Sequence, residues 1–265
     1  MAIATSGPGA TNLITGIADA QIDSTPMVCI TGQVPSHLLG SDAFQETDIV
    51  GISTPVTKWN HQITRAEEIP EVIAKAFYIA RSGRPGPVLI DITKDAQFEV
   101  FDFTYKICQV VRSYKPVPKL EQSQLQAAAE LINSANKPLI IWGQGVILGK
   151  AEKEFKAFVE KTGIPAAWTI MGVSAIDTAH PLNVGMVGMH GNYGPNILTN
   201  ECDVLIAIGM RFDDRVTGKL SEYAKQAKVI HFEIDPAEVD KNVKTDVAVL
   251  GDSKESLNEI LAMVN

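Results

Sequence analysis

The sequence predicts an α/β protein built on parallel sheets with helices on both faces. Short apolar runs alternate along the chain with segments of helical periodicity, and this alternation is typical of such sheets. Of the 265 residues, 45% are hydrophobic, as in chains with a buried core. Several of the apolar runs end in glycine-containing turns, where α/β proteins bind ligands.

Seven apolar runs are predicted to be strands, because each is short and bounded by turn or polar residues. They span residues 3–5, 27–31, 88–91, 139–142, 166–169, 204–208 and 228–233.

Apolar residues at helical spacing predict the helices between these strands. Ile69, Val72, Ile73, Ala76, Phe77 and Ala80 predict a helix that stops at Ser82-Gly83. Ser123 with Gln126 has the pattern of a capping box, which predicts a helix start at that point. Phe155, Phe158 and Val159 mark one more helix, and Leu257, Ile260, Leu261 and Val264 mark the last.

An irregular stretch divides the chain. Residues 106–119, which include Lys115-Pro116-Val117-Pro118, are predicted to be a linker between a domain of residues 1–105 and a domain of residues 120–265. The first domain would have only about three strands, fewer than a doubly covered sheet usually has, so we expect it to be incomplete.

Composition argues against several classes of function. The net charge of −8 disfavours a nucleic-acid-binding surface. No run of about 18 apolar residues and no signal-like start is present, so we expect a soluble intracellular protein with no membrane partner. Cys29, Cys108 and Cys202 are far apart and outside any CxxC pattern, which indicates reduced thiols and no metal site.

Two polar segments follow strands in the first domain. Residues 5–12, TSGPGATN, leave a strand and open a helix, so their N–H groups could face an anion; a plain turn is equally compatible. Residues 31–35, TGQVP, are followed by a polar loop at residues 42–48, DAFQETD, for which simple solvation is the alternative.

The second domain has glycine-rich turns and a cluster of charges. Gly143-Gln144-Gly145 follows a strand, although GxG alone is a weak dinucleotide signature. Arg211 and Arg215 are four apart, so on one helical turn they would share a face and grip a pyrophosphate, with Asp213 and Asp214 orienting them. An exposed salt-bridge network is the alternative.

Further candidates lie near other strand ends. Glu233 ends a strand, where a carboxylate suits the ribose or adenine groups of a dinucleotide, although such a residue is often only solvated. His190 lies in the segment GMHG, residues 188–191, and could equally be a buried histidine of the core.

Taken together, these segments resemble a known family. TSGPGATN, TGQVP, DAFQETDIVGIS, TKWN and SGRPGPVLIDITKD resemble the pyrimidine-binding domain of thiamine-diphosphate enzymes of the acetohydroxyacid synthase type. GMHG and RFDDRVTG are similar to flavin-contacting segments of the same family. The resemblance implies an incomplete pyrimidine-binding domain followed by a Rossmann-like central FAD-binding domain.

The resemblance also implies roles for individual residues. Gln45 and Phe44 would line the reaction centre, and Lys94 and Pro35 would lie at the substrate channel. The flavin would be bound by Asp23, Arg84, Gly143, Gln144, Gly145, Gly188, Met189, His190, Gly191, Gly209, Arg211, Asp213, Arg215, Glu233, Gly251 and Asp252. Gln144 departs from the family pattern, which usually has a small residue there.

As a member of this family, the protein would join pyruvate to pyruvate or 2-ketobutyrate with loss of CO2, in branched-chain amino-acid biosynthesis. FAD would have a structural role, and thiamine diphosphate and Mg2+ would act in the complete enzyme. The activating glutamate lies upstream in the family and the GDG…NN magnesium motif downstream, so we expect the isolated chain to be inactive.

We expect catalytic subunits to associate with one another and with a small regulatory subunit, in the cytoplasm or, for a eukaryotic protein, in plastids or mitochondria. A glyoxylate carboligase and a non-catalytic FAD- or ADP-binding module are the alternatives.

Overall fold

The computed structural model describes all 265 residues, which form two compact units, residues 1–116 and 117–265. Each unit contains one parallel sheet, so the α/β prediction is confirmed. No helix is both long and apolar enough to cross a bilayer.

The first unit has a four-stranded sheet in the order β1-β2-β4-β3. Its strands are β1 (Ala2–Ala4), β2 (Met27–Gln33), β3 (Trp59–Ile63) and β4 (Pro87–Thr93). Its helices are α1 (Pro8–Asn12), α2 (Ile14–Ile22), α3 (Ile49–Ser53), α4 (Ile69–Arg81) and α5 (Lys94–Phe98), with 3-10 turns at Ser36–Leu38, Thr54–Val56 and Ala66–Glu68.

Alternation along β2 and β4 builds a core on each face of this sheet. Val28 and Val88 pack on one face in the cluster that includes α4, whereas Cys29 and Leu89 pack on the other with Ile17 of α2. The first parts of both central strands, residues 28–30 and 88–90, are apolar on both faces for this reason.

The prediction of three strands in this unit was wrong, because β3 was missed. Its sequence, WNHQI, is polar, and the strand lies at the edge of the sheet, where it is only half-buried over most of its length. An edge strand needs no continuous apolar run.

The second unit has a six-stranded sheet in the order β10-β9-β8-β5-β6-β7. Its strands are β5 (Pro138–Trp142), β6 (Ala166–Trp168), β7 (Asn183–Met186), β8 (Val204–Ile208), β9 (Lys228–Glu233) and β10 (Val247–Leu250). Its helices are α6 (Gln122–Asn133), α7 (Gln144–Leu148), α8 (Glu152–Thr162), α9 (Tyr193–Glu201), α10 (Asp214–Thr217) and α11 (Ser253–Leu261), with 3-10 turns at Ile170–Gly172 and Pro236–Glu238.

The chain order changes direction at the middle of this sheet. From β5 the chain builds β6 and β7 outward on one side, then crosses over to build β8, β9 and β10 on the other. The carboxyl ends of β5 and β8 therefore form the topological switch point, where open α/β sheets bind ligands.

The predicted capping box at Ser123 was wrong, although the helix it introduced is present. Glu121 is the N-cap residue, and its carbonyl accepts hydrogen bonds from the N–H groups of Gln124 and Leu125. Ser123 consequently lies inside the first turn, where it cannot cap the helix.

Candidate functional site

Glycines from two loops meet at the switch point of the second unit. The Gly143 N–H donates to the Ile208 carbonyl (3.0 Å), and the Gly145 N–H donates to the Gly209 carbonyl (3.0 Å). A Cβ on Gly145 would lie 2.5 Å from the Gly209 Cα, and Gly209 itself has a φ of 58°. The two loops touch backbone to backbone, so a side chain at Gly145 or Gly209 would force them apart. Gln144, between the two glycines, is the half-buried first residue of α7.

The segment at residues 188–191 packs against the segment at residues 209–218. The Met189 N–H donates to the Arg215 carbonyl (2.8 Å), and a guanidinium nitrogen of Arg215 lies 3.5 Å from the Met189 sulfur. A Cβ on Gly188, whose φ is 100°, would lie 2.5 Å from the Arg215 carbonyl oxygen. The structure thus brings two predicted site segments into direct contact. Met189, beside Arg215, and His190 are both exposed, and the Gly191 N–H closes the turn by donating to the Gly188 carbonyl.

Asn196 holds this contact in place and was not predicted. Its side-chain oxygen accepts from the Gly188 N–H (2.9 Å), and its side-chain nitrogen donates to the Gly188 carbonyl (2.9 Å). One amide side chain therefore fixes both polar groups of a single glycine. In the sequence, Asn196 is only an asparagine eight residues after Gly188, and that spacing alone does not predict the contact.

Arg211 and Arg215 do not share a helical turn, so that prediction was wrong. Helix α10 begins at Asp214, because Asp213 is the N-cap and accepts from the Arg215 N–H (2.9 Å). Phe212, buried in the core, has a left-handed φ of 52° that separates Arg211 from the helix. The Arg215 side chain is 72% exposed, and its Nε lies 3.7 Å from an Asp214 carboxylate oxygen.

The carboxyl ends of β9 and β10 contribute two predicted carboxylates. Glu233 is buried, and one of its oxygens accepts from the N–H groups of Ile234 (2.9 Å) and Asp235 (3.1 Å). Asp252 caps α11 by accepting from the Lys254 N–H (2.9 Å). The Gly251 N–H donates to the Glu233 carbonyl (3.0 Å), which joins the two strand ends.

In the first unit, the carboxyl edge of the sheet collects the predicted reaction-centre residues. A Cβ on Gly7, after β1, would lie 2.8 Å from the Gln45 carbonyl oxygen, in the loop after β2. Gln45 has a φ of 61°, and Phe44 beside it is 89% exposed. Lys94 is exposed at the start of α5, directly after β4, and Pro35 follows β2.

Asp23 and Arg84 lie at the opposite edge of the same sheet. Asp23 ends α2 shortly before β2, and the Nε of Arg84, shortly before β4, donates to the Ser24 hydroxyl (2.9 Å). Seven-residue strands separate them from the carboxyl edge by about 20 Å. Within this unit the structure does not bring them to the Gln45 region.

The TKWN segment has a structural explanation in this unit. The Lys58 ammonium donates to the carbonyls of Ile79 (2.6 Å) and Ser82 (2.7 Å) and to the Tyr114 hydroxyl (3.0 Å). It therefore caps the carboxyl end of α4, which favours a positive charge. Tyr114, in the predicted linker, packs on the first unit through this contact and an edge contact with Tyr78.

Comparison with known proteins agrees with this arrangement. The family model of the thiamine pyrophosphate enzyme central domain matches residues 125–260, and that of the thiamine pyrophosphate enzyme N-terminal TPP binding domain matches residues 1–52. The chain belongs to the thiamine pyrophosphate enzymes.

Among its relatives are acetolactate synthases. The chain is 50% identical over 259 residues to the acetolactate synthase large subunit of Corynebacterium glutamicum, and 49% identical over 263 residues to the probable acetolactate synthase large subunit of Methanocaldococcus jannaschii. Each match covers 98% of this chain but only 41% and 44% of the respective relative. The chain thus spans less than half the length of these curated relatives.

Proposed function

We propose that this chain supplies the flavin-binding unit and part of the reaction centre of an acetolactate synthase large subunit. The supporting observation is about 50% identity to such subunits along nearly the whole chain. In this proposal, residues 1–105 are the carboxyl-terminal part of the pyrimidine-binding domain, and residues 120–265 are the central domain. The reaction condenses pyruvate with pyruvate or 2-ketobutyrate and releases CO2. The relatives favour this activity over that of a glyoxylate carboligase.

We infer that the second unit binds FAD. Gly143, Gly145 and Gly209 let the loops after β5 and β8 meet at the topological switch point, which is where open α/β sheets bind dinucleotides. In our proposal, Arg215 and Arg211 bind the diphosphate, while the exposed Met189 and the neighbouring glycine segment contact the ligand beside Arg215. FAD would stabilise this unit and take no net redox part. The remaining predicted flavin contacts, including Glu233 and Asp252 at the neighbouring strand ends, belong to the same proposal.

The first unit would contribute polar and cationic groups to the reaction centre. The Gln45 amide would donate a hydrogen bond to the 2-keto acid, beside the exposed Phe44 ring. The exposed Lys94 ammonium would attract the substrate carboxylate. Thiamine diphosphate, held through Mg2+, supplies the nucleophilic carbon when bound. We infer that its activating glutamate and magnesium ligands come from other segments of the large subunit.

We also infer that this subunit associates with further copies and with a small regulatory subunit. The first unit exposes large apolar side chains that an interface would cover, namely Met1, Ile3, Ile22, Phe44 and Phe77. The bacterial and archaeal relatives favour a cytoplasmic location.

A chimaera tests the enzymatic proposal. This chain would replace the matching segment of the Corynebacterium glutamicum large subunit, and acetolactate formation from pyruvate would be measured with thiamine diphosphate, Mg2+ and FAD added. We expect the chimaera to be active. A folded chimaera that binds FAD and forms no acetolactate would refute the proposed reaction.

Flavin binding is tested on the chain itself by titration with FAD, followed by flavin fluorescence. We expect Arg215→Met to weaken binding about tenfold or more, because it removes a charge-assisted contact to the diphosphate. Arg65→Met, which removes an equally exposed arginine of the first unit, is the control and should leave binding unchanged. Equal affinities of the wild type and Arg215→Met would count against the site.

A further inference from the structure

The Asp91 carboxylate is a buried acid whose hydrogen-bond donors are all neutral. It is fully buried in β4, between β2 and β3. It accepts hydrogen bonds from the Thr31 hydroxyl (2.6 Å), the Gln62 amide (2.9 Å) and the Gln33 amide (3.1 Å). Burial raises the pKa of Asp91, and these hydrogen bonds oppose part of that effect. A buried acid with neutral partners costs folding stability relative to an apolar residue, and a functional role for Asp91 would account for that cost.

Gln33 connects this carboxylate to the loop that holds Gln45. Its side-chain oxygen accepts from the Val34 N–H (2.9 Å), which leaves its NH2 group to face the other way. That nitrogen donates to an Asp91 oxygen (3.1 Å) and to the Thr47 carbonyl (2.8 Å). Asp91 therefore fixes the orientation of the amide that holds Thr47.

Thr47 ends a short loop, residues 42–47, which we call the Gln45 loop. Gln45 has the unfavourable φ of 61°, and its backbone lies directly against Gly7. A non-glycine residue with such a φ persists only when its surroundings hold it there. The Glu46 carboxylate holds the amino end of the loop by accepting from the N–H groups of Gly40 and Ala43. At the other end, the Thr47 carbonyl accepts from the Gln33 amide and from the Ile49 N–H (2.8 Å).

We propose that Asp91, acting through Gln33, is a positioning residue for Gln45. The role of Gln45 as a substrate contact rests on the proposed function above. The positioning of the loop does not, since it follows from contacts within the first unit.

The test is hydrogen exchange of the full chain, followed by mass spectrometry of peptides that cover residues 42–48. Gln33→Met keeps the shape of the side chain but removes both hydrogen bonds from its nitrogen and the one that its oxygen accepts from the Val34 N–H. We expect exchange in the Gln45 loop to become about tenfold faster, as the loss of a hydrogen bond or two predicts. Asp91→Leu should accelerate the same peptides.

Gln62→Met is the matched control, because Gln62 donates to the same Asp91 oxygen and makes no bond to Thr47. We expect it to leave exchange in the loop unchanged. Asp91→Asn should also preserve the loop, since its amide oxygen can accept from both glutamines while its nitrogen donates to the Thr31 hydroxyl. Unchanged exchange in Gln33→Met, or equal acceleration in Gln62→Met, would overturn the proposal.

Kinetic measurements on the chimaera distinguish the positioning role of Asp91 and Gln33 from the proposed substrate contact of Gln45. There, Gln33→Met should raise the KM for pyruvate more than it lowers kcat, as expected for a displaced substrate contact. Faster loop exchange with unaltered KM would leave the positioning role standing and refute the substrate contact assigned to Gln45. A change in KM without faster exchange would refute the positioning role.

Discussion

The backbone contact at the switch point leads to a sharp prediction for Gly145→Ala. Gly145 is the second residue of α7, and its φ lies outside the left-handed region, so alanine is conformationally acceptable there. The added Cβ, however, would lie 2.5 Å from the Gly209 Cα and 3.0 Å from the Gly209 carbonyl oxygen. Both are backbone atoms between the ends of β5 and β8, so they cannot rotate away.

The expected magnitude is a difference between two opposing effects. Alanine in a helix is favoured over glycine by about 0.5–1 kcal/mol. Overpacking against atoms that must shift costs about 1–3 kcal/mol. We therefore expect Gly145→Ala to lower the free energy of unfolding of the second unit by about 1–2 kcal/mol, and also to weaken FAD binding.

Gly194→Ala is the matched control. Gly194 is likewise the second residue of its helix, α9, in the same unit, and a Cβ there would meet nothing within 4 Å. We expect this variant to be as stable as the wild type or up to about 1 kcal/mol more stable.

The assay is denaturant unfolding followed by tryptophan fluorescence in a Trp59→Phe background, where Trp142 and Trp168 report on the second unit alone. If Gly145→Ala proved as stable as Gly194→Ala, the close backbone contact inferred for the switch point would be wrong.

Three further predictions concern stability, acid sensitivity and thiol reactivity. Lys58→Met should destabilise the first unit by about 1–3 kcal/mol in thermal unfolding, because it leaves carbonyls at the end of α4 without their charged donor; an unchanged midpoint would contradict the capping role. Burial acts to raise the pKa of Asp203, but two backbone N–H donors lower it overall. A folded-state pKa below the unfolded value contributes stability that is present above about pH 4 and lost as the pH falls, so Asp203→Asn should flatten the acid limb of a stability–pH profile. Burial raises the pKa of Cys202 to about 12, so iodoacetamide at pH 8 should label the partly exposed Cys108 and spare Cys202, as mass spectrometry of the digested chain would show.

Six of the seven predicted strands lie inside the sheets; the exception is β1, an edge strand. The bounds of β8 and β9 were predicted without error. β8, VLIAI, is apolar on both faces, as is usual for a central parallel strand, and β9 places Val229, Ile230 and Phe232 in the core. The three missed strands, β3, β7 and β10, all lie at sheet edges. There, half-exposed residues such as those of WNHQI have no periodicity that separates them from a loop.

For the candidate site, the sequence could predict at which edge of the sheet the segments lie but not how their side chains are used. Glycine turns after parallel strands lie at one edge of the sheet, so that placement of the Gly145 and Gly209 loops follows from the strand assignment. Their contact depends also on β5 and β8 being neighbours, which only the fold shows. The break between Arg211 and α10 could not be predicted from the sequence, because it depends on the burial of Phe212 in the folded core. Asn196 was not predicted, because its hydrogen-bond partners are backbone groups of Gly188, which only folding brings close.

The way the acidic residues are used bears on the proposed FAD site of the second unit. Asp213, Glu233 and Asp252 each accept hydrogen bonds from backbone N–H groups next to them in the chain. Their charges thereby stabilise turns and helix starts rather than pairing with an arginine. The ion pair of Arg215 with Asp214 is exposed and long, at 3.7 Å, and such pairs contribute little. In the proposed FAD site, a diphosphate would therefore meet a guanidinium group whose charge is barely neutralised, although this part of the chain is rich in carboxylates.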